Sequence, residues 1–78
     1  MKVKYDKEVD VLYISFSKNK IKESDENKSG IVLDYDKAGA IVGIEILDAS
    51  KKMKNPSIVE YEVAWRSFSN YLIFKFSN

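Results

Sequence analysis

The run Gly30-Ile31-Val32-Leu33-Asp34-Tyr35-Asp36-Lys37-Ala38-Gly39-Ala40-Ile41-Val42-Gly43-Ile44-Glu45-Ile46-Leu47 reads as two β-strands and the turn between them. Its apolar residues are mostly β-branched or aromatic, the types that suit a pleated, half-buried surface. Over Gly30 to Tyr35, a period of two places Ile31, Leu33 and Tyr35 on one face and Val32 and Asp34 on the other. Asp36-Lys37-Ala38-Gly39 is a turn, with Gly39 available for a left-handed position. Ala40 to Leu47 is the longer second strand. If residue 35 faces either 40 or 42, Ile31, Leu33 and Tyr35 share a face with Val42, Ile44 and Ile46, so both registers select one core face.

Upstream, Lys2 to Tyr5 alternates Val3 and Tyr5 against Lys2 and Lys4 and reads as a first strand. Asp6 to Asp10 is a polar hairpin connection, and Val11 to Phe16 a second strand with Leu12, Ile14 and Phe16 on one face. Ser17 to Ser29 has Ile21 as its one apolar residue. It reads as a solvated loop, with a lysine-guarded edge strand around Lys20 to Glu23 as the alternative. Downstream, Asp48 is placed to cap a short helix, Lys51, Lys52 and Lys54 suit its C-terminal end, and Asn55-Pro56 stops it.

The last third carries two competing signals. Ser57 and Glu60 have capping-box spacing, which would start a helix. Val59, Tyr61, Val63 and Trp65 alternate with Glu60, Glu62 and Ala64, which is strand periodicity, and Tyr71 to Phe76 alternates likewise. Strand, loop and strand is the preferred reading. The expected fold is mainly β (α+β): an antiparallel β-meander of about four strands, a short helix after the fourth strand, and a C-terminal β-hairpin. Residues 1–54 would form the meander and helix of a single small domain, and 55–78 the hairpin extension.

Composition narrows function by exclusion. The 78 residues have room for one core. With no His and no Cys, thiol nucleophiles, disulfides, Cys/His zinc sites and Ser-His-Asp triads are ruled out. Thirteen basic against 12 acidic groups leave a formal net charge of +1, no bulk field to draw in nucleic acid or an anionic membrane. No signal-peptide pattern opens the chain and no apolar run approaches the ~20 residues of a membrane helix, so a cytoplasmic protein is expected.

Four blocks stand in order: Met1-Lys2-Val3-Lys4-Tyr5-Asp6, Asp10-Val11-Leu12-Tyr13-Ile14, Gly30-Ile31-Val32-Leu33-Asp34-Tyr35-Asp36 and Gly43-Ile44-Glu45-Ile46-Leu47-Asp48-Ala49-Ser50. Together they resemble domain-of-unknown-function family 2283, small prokaryotic proteins, over about residues 1–52. The resemblance implies a small β-rich domain with no established activity and no catalytic or ligand-binding residues to carry over. It also implies an antitoxin-type role beside a toxin-like protein partner. Pro56 onward lies outside the shared pattern.

Candidate chemistry is sparse, and no catalytic residue or cofactor is assigned. Asp34, Asp36, Glu45 and Asp48 cluster around the second hairpin; Asp34, Glu45 and Asp48 are the candidate ligands for a hard divalent cation. The structural reading is preferred: Asp36 begins a turn, Asp48 caps a helix, and Asp34 and Glu45 line a solvated sheet face. Lys51-Lys52-Met53-Lys54 reads as a solvated helix end ahead of a phosphate contact. The aromatics Tyr61, Trp65, Phe68, Tyr71, Phe74 and Phe76 crowd the C-terminal 18 residues. They either complete a second layer in the monomer or form an interface, since such rings are enriched at interface cores. A homodimeric interaction module, more plausibly not an enzyme, is the favoured expectation; a metal- or ligand-dependent enzyme is the alternative.

Overall fold

The computed structural model describes residues 1–27 and 29–65. Five strands form one antiparallel sheet: β1 (Lys2–Asp6), β2 (Val11–Ser15), β3 (Glu23–Glu26), β4 (Ile31–Tyr35) and β5 (Ile41–Leu47), followed by a helix, α1 (Ala49–Lys52). Their spatial order is β1-β2-β5-β4-β3. A simple meander would have kept sequence neighbours adjacent. Here the chain leaves β2, crosses to the far edge to make β3, and returns through β4 so that β5 lands against β2. The reason is hydrophobic: β5 is the most apolar strand, and a central place flanks it with an apolar-bearing strand on both sides.

The expected loop over Ser17 to Ser29 therefore contains a strand, three residues beyond the alternative at Lys20–Glu23. Glu23–Glu26 is exposed throughout. Its ladder to β4, with Glu23 opposite Tyr35 and Glu26 opposite Val32, holds it by backbone hydrogen bonding. Charged side chains at this position also discourage further strand addition.

The expected hairpin register holds over most of its length. Ile31 lies opposite Ile46 and Leu33 opposite Ile44, which matches residue 35 facing 42. A β-bulge at Asp34/Tyr35 then shifts Tyr35 onto Ile41, an irregularity neither expected register contained. Gly39 takes φ +86° in the turn. Asp36 organises that turn, its Oδ1 accepting the Ala38 and Ala40 N–H groups at 2.9 Å each.

The ladder sorts the sheet into two faces. One carries the rows Val3–Ile14–Ile44–Leu33 and Tyr5–Leu12–Ile46–Ile31. The other carries Lys4–Tyr13–Glu45–Val32–Glu26 and Lys2–Ser15–Gly43–Asp34–Ser24. A sheet is stable when its apolar face packs on a second layer. Among the described residues no such layer is present: α1 has four residues, about 6 Å of helix. Val11, Leu12, Val42 and Ala49 form the buried apolar core, Pro56 is also buried, and no large side chain is fully buried among the described residues. Phe16 and Val3 are exposed and Tyr5, Ile14, Ile31, Leu33, Ile44 and Ile46 half-buried.

Beyond Pro56 the expectation is corrected. Ile58 to Trp65 forms neither strand nor helix. Its alternation is a strand pattern, but a strand needs a neighbour to bond, and none of the described residues of this chain supplies one. The expected second hairpin strand, Tyr71 to Phe76, lies outside the described residues.

Candidate functional site

Three constructions in the sheet carry chemistry or recognition. On the polar face, Asp34 and Glu45 sit diagonally across β4 and β5, with Gly43 opposite Asp34 and Val32 opposite Glu45. Asp34 is 4% exposed, so it does not lie on the solvated face expected for it. The Ser24 hydroxyl donates to its Oδ1 at 2.6 Å. The contact with Asp34, then burial, raise Glu45 from 4.5 to about 7. Gly43 makes the arrangement compact, since a Cβ there would stand 2.8 Å from the Ile14 carbonyl oxygen.

Asp48, the third candidate ligand, lies elsewhere. It is exposed, at φ +51° immediately before α1, and three residues along β5 from Glu45, about 10 Å in an extended chain. Among the described residues no group of three or more His, Cys, Asp or Glu is placed to hold a metal ion. The sequence brought Asp34 and Glu45 together correctly by parity and failed to separate Asp48.

The second construction went unforeseen. Asp48 occupies the N-cap position of α1 but makes no side-chain cap, because its left-handed backbone turns the side chain away. Asp10, forty residues before Ser50, caps instead. Its Oδ1 accepts the Ser50 N–H at 3.0 Å, its Oδ2 accepts the Ser50 hydroxyl at 2.6 Å, and its carbonyl accepts the Ala49 N–H at 2.9 Å. The Tyr5 hydroxyl donates to the same carboxylate at 2.6 Å. Hydrogen bonding from Ser50 and then Tyr5 lowers the Asp10 carboxyl below its ordinary 3.8, and the bond to Asp10 raises the Tyr5 phenol. Asp10 adopts φ +58°, which aspartate tolerates better than most residues. An Asp ending a polar turn was the one available signal; its partner forty residues away had none. At the helix end, Lys52 Nζ donates back to the Leu47 carbonyl oxygen.

The third construction is the pair of sheet edges. β1 presents Lys2 and Lys4, with the Lys4 ammonium 5.9 Å from the centre of the Tyr13 ring. Lys2, Lys4, Tyr13 and Ser15 line a shallow open depression on the polar face. β3 presents Glu23, Asp25 and Glu26. Of the expected interface residues, Tyr61 and Trp65 are 76% and 80% exposed. Phe68, Tyr71, Phe74 and Phe76 lie outside the described residues.

Among the described residues no helix is long and apolar enough to cross a membrane. The family model described as Protein of unknown function (DUF2283) matches residues 2–50, the span from the start of β1 to the Ser50 that Asp10 holds. Comparison with curated proteins and with solved structures returns no match.

Proposed function

We propose, for a chain that belongs to the DUF2283 family of proteins of unknown function, a non-enzymatic interaction module that self-associates and holds a protein partner, in a pairing of the antitoxin kind. The observation that carries this reading is the apolar face of the sheet. Val3, Tyr5, Ile14, Phe16, Ile31, Leu33, Ile44 and Ile46 lie on one side without a covering layer among the described residues. Burying such a face against a second sheet, about 10 Å away, is the usual way an antiparallel sheet completes its core.

The occupant of first choice is a second copy of the chain. β3 carries only acidic charge, so β3-to-β3 pairing would set like charges opposite one another. Face-to-face packing has no such opposition. Five strands about 4.8 Å apart and about 17 Å long give a face of roughly 400 Å², or about 800 Å² over two copies. A solution mass by light scattering tests the reading, together with recovery of the tagged protein from its native host. A dimer with a stoichiometric second protein supports it. A monomer at high concentration that recovers no partner overturns it, and would assign the face to the chain's own C-terminal residues.

A further inference from the structure

Resting on that self-association, we infer that each chain lends the segment Val59-Glu60-Tyr61-Glu62-Val63 as a sixth strand to the β1 edge of its partner. The arm is fully strand-patterned yet pairs with none of the described residues of its own chain. Val59, Tyr61, Val63 and Trp65 are 57%, 76%, 67% and 80% exposed. The face contact alone, about 800 Å² in total, falls short of the ~1,200–2,000 Å² of a specific interface. The five residues Val59 to Val63 and the Tyr61 ring add contact area to it.

Charge and pattern choose the edge. β1 alternates Lys2 and Lys4 on the polar face with Val3 and Tyr5 on the apolar face. The arm alternates Glu60 and Glu62 with Val59, Tyr61 and Val63. Laid antiparallel, as every other pair in the sheet is, Glu60 falls opposite Lys4 and Glu62 opposite Lys2. The same register sets Tyr61 opposite Val3 and Val59 opposite Tyr5, continuing both apolar rows by one strand. The other edge refuses the arm: with the apolar rows continued, Glu26 of β3 would stand against an arm glutamate, and Glu23 and Asp25 against the arm's apolar residues. Exchange of two arms between two copies is isologous, so the assembly closes at two chains and does not grow into a fibre. The recognition mode is β-strand addition, with backbone bonding for affinity and alternate side chains for register.

The test uses the full-length chain and charge reversal. Wild-type protein, the variant Glu60→Lys/Glu62→Lys, the variant Lys2→Glu/Lys4→Glu, and an equimolar mixture of the two variants are measured by sedimentation equilibrium, with circular dichroism to check each fold. Either reversed variant should weaken dimerisation at least about tenfold. The mixture should recover wild-type affinity as a heterodimer, because each arm then meets an edge of opposite sign. A wild-type monomer overturns this inference together with the dimer it rests on. A wild-type dimer that neither reversal weakens, or that the mixture fails to restore, overturns arm exchange and leaves the face dimer standing. If mixing does nothing but all four reversals in one chain restore the native signal, the arm pairs within its own chain and the inference also fails.

Discussion

Replacing Glu45 by glutamine keeps the side chain's length and removes its titration. In the wild-type protein the group is raised from 4.5 to about 7, first by its hydrogen bond to Asp34. Between those two pH values the folded chain holds a proton that the unfolded chain releases. The Glu45 contribution to stability is therefore fully present below about pH 4.5, falls as pH rises through 7, and is absent above. Unscreened, the difference amounts to about 3 kcal/mol. Glu45 stands on an open sheet face, where solvent screening cuts this to about 1–2 kcal/mol. Glutamine keeps a permanent N–H to donate to Asp34. Glu45→Gln should thus be more stable than wild type by about 1–2 kcal/mol at pH 8 and within about 0.5 kcal/mol of it at pH 5. Urea unfolding followed by far-ultraviolet circular dichroism at the two pH values reads this directly, and other titrating groups cancel in the difference. An equal gain at both pH values, or a loss at pH 8, would refute a raised Glu45 carboxyl.

The Asp10 clamp makes the opposite demand on pH. Its lowered pKa means its stabilisation is complete above about pH 4 and is lost as pH falls through the folded value. Asp10→Ala should lower the melting temperature at pH 7 and narrow the gap to wild type at pH 2, as thermal scans at both values would show. Gly43→Ala should cost about 1–3 kcal/mol, because its Cβ would meet the backbone of β2, which cannot give way as a flexible side chain does. Gly39→Ala should cost only about 1 kcal/mol, from its positive φ alone, since nothing lies within 4 Å; denaturant midpoints of the two variants separate these causes. Saturating Mg²⁺ or Ca²⁺ should leave the melting temperature unchanged, and a rise abolished by Asp34→Asn would restore the metal reading.

Much of the sheet was legible residue by residue. Alternation is a local property with a period of two, so Val3 and Tyr5, Leu12 and Ile14, Ile31 and Leu33, and Ile44 and Ile46 announced which face of each strand is apolar. The Asp36–Gly39 turn was equally plain, because the left-handed position it needs is one that glycine takes without a steric penalty. Ser17 to Ser29 misled because β3 is an edge strand with an exposed, charged side-chain set; backbone ladder bonds hold it, and these leave no trace in composition. Ile58 to Trp65 misled in the other direction, since a strand pattern specifies a strand only where a neighbour exists to pair with.

The amino-acid sequence by itself thus determined the strands' apolar faces, the tight turn between β4 and β5, and the absence of thiol and imidazole chemistry. The tertiary structure alone decided that β5 sits between β2 and β4, that Asp10 rather than Asp48 caps α1, and that Asp34 is buried beside Glu45. The physical reason is range: side-chain periodicity and turn geometry are settled over two to five residues. Strand order, capping from forty residues away and a carboxyl–carboxyl contact are settled by which surfaces the folded chain brings together.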